Sequence, residues 1–207
     1  KPDAMATVTF TKPGVERSTG YIESGDPNFY VRRGYSQVVA NVRGTGKSGG
    51  KYPFLGAQEA KDGAEVIQWI AQQPWCDGNV GMFGVSYFAW IQLFIAALNP
   101  PNLKCIFAPW AATDLYRDSI YRGGILHHHF WRGWITDAID KAKVECQSLK
   151  TWGENKFKEA VADMLENKDV TSIPDLLSVL KNPDVGVNPL LADIFLNQYD
   201  GPFWEER

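Results

Sequence analysis

The sequence predicts an α/β fold, a parallel sheet flanked by helices and followed by a helical segment, and three observations predict it. Short apolar runs alternate with longer stretches of helical periodicity between residues 37 and 108. One of these runs ends in Gly84-Val85-Ser86-Tyr87, which sets a serine at the entrance to a helix. From Gly124 onward the strand pattern stops and charged, helix-forming residues rise. Strand–helix–strand alternation implies βαβ units, whose strands run parallel and whose crossovers are right-handed.

Each element has its own signal. Residues 1–28 hold proline and glycine breaks with weak alternation at Val8-Thr9-Phe10, and define no element. Residues 29–34 predict the end of a helix closed by Gly34. Residues 37–42 are apolar without alternation, as expected of a strand buried inside a parallel sheet. A glycine-rich loop follows at 43–50. Within 57–73, Ala60, Ala64, Ile67 and Ala71 share a stripe with Trp69 and Ile70 alongside, so this segment is a helix packed on the sheet. Residues 79–83 form the next strand, and 87–98 the next helix, stopped by Asn99-Pro100-Pro101. Residues 104–108 form a third strand, and helices are expected at 125–149, 155–166 and 173–180. The chain thus divides into a partial core over 1–124 and a helical cap over 125–207.

Composition narrows the function. The chain has 207 residues and is 44% hydrophobic, enough to bury a full core. Twenty-one basic against 24 acidic residues leave a net charge of −3, which offers no footprint for nucleic acid or an anionic membrane. The apolar run at 91–98 is far too short to span a bilayer. Lys1-Pro2-Asp3 leads into a threonine-rich stretch rather than the apolar core of a signal peptide. Cys76, Cys105 and Cys146 are scattered without metal spacing and read as reduced, which fits a cytoplasmic protein. No cofactor or metal is expected.

Serine alone is a poor nucleophile and needs a base and donors for the oxyanion. A strand before Ser86 and a helix after it make a nucleophile elbow. Gly84 leaves room for the turn, and the Tyr87 amide, at a helix N-terminus, points to where negative charge would develop. Position 88 is Phe where the general G-x-S-x-G pattern has glycine, and the small residue comes one place later, at Ala89.

That shifted pattern belongs with others: Arg33-Gly34-Tyr35, the run from Asn41-Val42-Arg43-Gly44 to Gly49-Gly50, Trp75-Cys76-Asp77-Gly78, and Asp114-Leu115-Tyr116-Arg117-Asp118 with Tyr121 and Gly123-Gly124. Together they resemble the cocaine-esterase-like (CocE/NonD) serine hydrolases, relatives of the X-prolyl dipeptidyl-peptidases and α-amino acid ester hydrolases. The resemblance implies an α/β-hydrolase fold with an incomplete sheet, a helical cap that Asp200 to Trp204 would close, and an acyl-enzyme on Ser86. It implies an ester or peptide-like substrate, and the Tyr87 amide as one oxyanion donor. The second donor in the family is often a tyrosine hydroxyl from an upstream loop with no counterpart here; Tyr21 and Tyr30 are substitutes. The family's triad Asp and His follow the cap, so the chain reads as an internal piece of a larger enzyme or as one chain of a split one, with a complementing chain or a homo-oligomer as the expected partner. The alternative is a catalytically incomplete, hydrolase-like module serving binding or assembly.

Other features invite different chemistry. His127, His128 and His129, with Asp114 or Asp118 before them, satisfy the order Ser, Asp, His, but adjacent helical histidines diverge and the bland expectation is a cap helix. The same divergence argues against a metal site. Gly46-Lys47-Ser48 resembles the end of a P-loop, yet Asn41 stands where its first glycine belongs and no helix can start at once. Asp114 and Asp118 read as loop residues rather than a glycosidase pair. Phe130, Trp131 and Trp134 lie at helical spacing, as core residues of the cap or as a substrate pocket wall.

Overall fold

The computed structural model describes residues 23–205 and 207. The alternation at Val8-Thr9-Phe10 and the candidate hydroxyl of Tyr21 lie outside the described residues. The described residues divide into two compact units, the first comprising 23–40 and 54–113 and the second 41–53 and the residues from 114 onward.

In the first unit, helix α1 (Pro27–Val31) starts at Asp26, whose carboxylate accepts the Asn28 amide at 2.9 Å, with Pro27 preset for the first turn. Helix α2 (Ala57–Ala71) buries Ala60 and Ile67. Strand β1 (Val80–Phe83) leads into helix α3 (Tyr87–Ala97), and β2 (Leu103–Phe107) runs parallel to β1. A methyl group at Gly63 would collide with Ile95, so glycine sets how closely α2 and α3 pack. Burial concentrates in Ala60, Ile67, Ala89, Ile91 and Ile95, on these two helices.

Residues 37–42, expected as a buried strand, join no ladder among the described residues. Val38 and Val39 are exposed, because β1 and β2 pair with each other and no described strand offers a partner to this segment. An apolar run is buried only when neighbouring strands flank it.

The second unit is mostly helical. After a π-helical turn (Tyr116–Ile120), strands β3 (Tyr121–Arg122) and β4 (Ile125–Leu126) form a two-residue hairpin turned by Gly123 and Gly124, both in the left-handed region at φ 62° and 81°. The single helix expected over 125–149 is therefore three things: β4, helix α4 (His128–Ala138) and helix α5 (Gln147–Trp152), with a loop between the helices. The loop has a physical cause. The Lys143 amide donates to the Gly44 carbonyl and the Lys143 carbonyl accepts from Tyr52, both at 2.9 Å, so the 41–53 segment takes backbone groups that a helix would have used.

Helix α6 (Glu154–Glu166) and α8 (Pro174–Lys181) fall where the periodicity placed them. The short α7 (Lys168–Thr171) and the largely buried α9 (Asn188–Leu196) were not anticipated. The core gathers Trp131, Ile135, Phe157, Leu180, Leu191 and Ile194.

One buried carboxylate organises this core. Asp193 of α9 is 1% exposed and accepts the Gln147 and Ser148 amides, each at 2.7 Å, and the Cys146 thiol at 3.2 Å. It caps the N-terminus of α5 from 46 residues away, where a negative charge complements the helix dipole. Burial and the neighbouring carboxylate push the Cys146 thiol up to about 12, which makes it unreactive at neutral pH. Asp193→Ala strands the part-buried Gln147 amide and the buried Ser148 amide, and its expected cost is on the order of 3 kcal/mol. Denaturant unfolding monitored by tryptophan fluorescence measures that loss.

Candidate active site

Strand β1 delivers the chain into Gly84 and Val85, and helix α3 begins immediately after Ser86. Between them Ser86 adopts φ 59° and ψ −121°, a conformation that L residues rarely occupy. Four backbone hydrogen bonds hold it there. The Ser86 amide donates to the Pro109 carbonyl at 3.2 Å, and the Val85 amide donates to Glu23 at 3.0 Å. The Ser86 carbonyl accepts the amides of Ala89 at 2.8 Å and Trp90 at 3.0 Å, opening the helix. Gly84 is buried, and a methyl group there would collide with Cβ of Phe88, so the turn and the helix's second residue share space only glycine leaves. A non-glycine residue so placed costs roughly 1–3 kcal/mol and persists only where its surroundings impose it.

The serine side chain is partly exposed and Tyr87 is buried at 8%. The Tyr87 amide is the first of α3, the end at which a helix favours negative charge. Below the turn, Gln92 is fully buried and donates to the carbonyls of Phe88 at 2.7 Å and Gly84 at 3.2 Å.

Sequence reasoning passed over Glu59. It lies in the first turn of α2, is 4% exposed, and accepts the Tyr87 hydroxyl with Oε1 at 2.8 Å and Oε2 at 2.6 Å. Its Oε2 also accepts the Leu55 amide at 3.0 Å. Burial, with a smaller push from Asp62, raises the Glu59 carboxyl from 4.5 to about 7 despite these hydrogen bonds. The available signal was an acidic residue three places after the glycine that opens α2, the position from which a side chain reaches back to the amides before the helix.

The remaining candidates are placed as follows. Tyr30 packs its ring against Phe83 at 5.8 Å in the first unit. His127, His128 and His129 start α4 of the second unit, where His127 stacks on Phe130 at 5.4 Å and His128 tilts against Phe195 at 6.1 Å. Burial lowers the His128 pKa. Trp131 is buried and meets Phe130 and Trp134 edge-on, while Phe130 is 46% exposed. Asp114 and Asp200 both pair with Arg117, and the Asp118 carboxylate accepts the Asp114 amide at 3.1 Å, which makes this a loop-bracing network. In the 43–50 loop the Gly44 amide donates to Gly49 and the Ser48 amide to Thr45, so loop amides that a phosphate would need are used internally. Among the described residues, no cluster of three or more metal-ligating side chains occurs, and no helix is long and apolar enough to cross a membrane.

A strained serine between a parallel strand and a helix defines the α/β-hydrolase type of fold. The family model of the X-Pro dipeptidyl-peptidases (S15) matches residues 3–204, and the chain belongs to that family. It is 40% identical over 119 residues to the cocaine esterase of Rhodococcus sp. (strain MB1 Bresler), covering 57% of this chain and 20% of the relative. It is 25% identical over 178 residues to the Xaa-Pro dipeptidyl-peptidase of Lactobacillus delbrueckii subsp. bulgaricus, covering 79% of this chain and 22% of the relative. Among solved structures, a CocE/NonD family hydrolase from Staphylococcus aureus superposes with a TM-score of 0.57 at 33% identity, over 68% of this chain and 27% of the other. The matched segment therefore spans about a fifth to a quarter of the length of these relatives.

Two outcomes follow from the geometry. Ser86→Gly and Ser86→Ala both lose the hydroxyl, but only glycine relieves the backbone, so the glycine variant is expected to be more stable by about 1 kcal/mol; paired denaturant melts check this. The second outcome concerns Glu59. Its folded pKa lies above that of the unfolded chain, so its contribution to stability is greatest below about 4.5 and is lost as pH rises through about 7. Melting temperatures recorded across that window should fall more steeply with pH for the wild type than for Glu59→Gln.

Proposed function

We propose that this chain supplies the nucleophile of a serine hydrolase that cleaves an ester or a peptide-type amide. The observation that carries the reading is the conformation of Ser86, held at positive φ between β1 and α3. Proteins retain such strain where it serves function. The names of the relatives, an esterase and dipeptidyl-peptidases, support the same class of bond.

In this mechanism the Ser86 hydroxyl attacks the substrate carbonyl carbon as a base removes its proton. The carbonyl oxygen becomes an oxyanion, stabilised by the Tyr87 amide at the α3 terminus. The oxyanion collapses, the bond to the alcohol or amine breaks, and the leaving group takes the proton. Water then attacks the acyl-serine by the same route and frees Ser86. The base and its carboxylate partner come from residues outside this sequence, in keeping with the small share of each relative that the chain matches. Within the helical unit, Phe130 and Trp134 meet buried Trp131 edge-on, and this aromatic cluster is the apolar surface we assign to recognition of the acyl or amine group.

Fluorophosphonate labelling followed by peptide mass spectrometry tests the proposal on the full-length polypeptide that carries this sequence. Labelling is expected on the peptide containing Ser86 and is abolished by Ser86→Ala. A folded polypeptide that takes no label would instead be a binding or assembly module built on a hydrolase scaffold.

A further inference from the structure

We propose that Glu59 is a positioning residue for the Ser86 turn: its buried carboxylate, by holding the Tyr87 hydroxyl, fixes the peptide unit that presents the Tyr87 amide. The inference rests on the reading of Ser86 as nucleophile and of that amide as oxyanion donor.

Three observations meet at this carboxylate. First, Glu59 bridges two strained turns. Leu55, whose amide it accepts, sits at φ 55° next to Phe54 at φ 47°, and Tyr87 follows Ser86 at φ 59°. Phe54 and Leu55 are buried, so the first of these turns cannot relax into solvent. Second, the single Tyr87 hydroxyl proton is shared between both carboxylate oxygens, 2.8 Å from Oε1 and 2.6 Å from Oε2, so the contact survives a small rotation of the carboxylate. The ring is further confined edge-on against Phe88, at 6.2 Å. The side chain that Glu59 holds belongs to the residue whose amide opens α3, the same residue that forms the peptide unit with Ser86.

Third, among the described residues the carboxylate has hydrogen bonds but no ion pair. Helix α3 carries no charged residue and Tyr87 is its one titratable group, while β1 carries neither. On α2 the charge that bears on Glu59 is Asp62, which repels it. Lys61 shares α2 but is not among the groups that shift Glu59, and burial raises the carboxyl to about 7. Burying an unpaired carboxyl lowers stability, and an arrangement that persists despite this is expected where geometry serves chemistry.

A glutamine at position 59 can keep the contacts without the charge. Its oxygen would accept from Tyr87 and Leu55, and its amide would donate to the phenol oxygen. The role is therefore geometric, and Glu59→Gln should behave differently from Glu59→Ala and Tyr87→Phe.

The test uses the full-length polypeptide with ¹⁵N-tyrosine, following the Tyr87 backbone amide resonance from pH 5 to 9, alongside the rate of fluorophosphonate labelling at Ser86. In the wild type the Tyr87 amide is expected to shift with a midpoint near 7, and in Glu59→Gln it should not titrate. Labelling should slow on the order of 10- to 100-fold in Glu59→Ala and in Tyr87→Phe, and recover in Glu59→Gln. Should Glu59→Ala fail to fold, Tyr87→Phe carries the same comparison. An unchanged Tyr87 resonance and an unchanged labelling rate, with only the melting temperature lowered, would overturn the positioning role. Should the wild type take no label while its Tyr87 amide still answers to Glu59, the nucleophile reading falls and the hold of Glu59 on the turn stands.

Discussion

The positive φ of Ser86 is the constraint to which the first unit is fitted. A serine does not choose φ 59° and ψ −121°; it is driven there because β1 and α3 meet at an angle that one residue must absorb. The Pro109 carbonyl fixes that residue from the end of β2, so the pairing of two parallel strands extends into the turn. Gly84 removes the side chain that would keep Phe88, and with it the helix, at a greater distance. Gln92 then ties the Gly84 carbonyl to the body of α3. Strand pairing, close approach and helix start are thus one arrangement, and each is stable only because the others are in place.

How much of this the sequence discloses depends on the distance between cause and effect along the chain. The signals for the Ser86 turn are local: the apolar run, the glycine two places before the serine and the start of the helix fall within residues 80–87, and the structure follows them closely, while the bonds to Glu23 and Pro109 that hold the turn come from farther along the chain. Glu59 and Tyr87 are 28 residues apart, and no periodicity links a helical glutamate to a tyrosine on another helix. Asp193 is in the same position, since α5 lacks a capping residue of its own and takes one from α9.

The two segments that departed from expectation share that explanation. Residues 37–42 have strand composition, but burial is a property of the neighbours, and none among the described residues pairs with them. Residues 139–146 carry helix-forming side chains, yet Lys143 gives its backbone groups to Gly44 and Tyr52. In both cases local propensity was read correctly and tertiary pairing decided the outcome.

The bonds from Lys143 to Gly44 and Tyr52 also bear on how the chain comes to be assembled. The helical unit is discontinuous, and residues 41–53 leave the ribosome some 90 residues before the segment that receives them. They must wait, with their backbone groups hydrated, while the whole strand–turn–helix region is synthesised around them. Among the described residues, the backbone partners of the Ser86 turn lie between residues 23 and 109. Vectorial synthesis therefore favours completing the serine turn before the helical unit closes, because contacts between distant segments form late. It also means that a cut at 113/114 does not separate two independent pieces. The C-terminal product would lack the strip of chain against which its own Lys143 is paired.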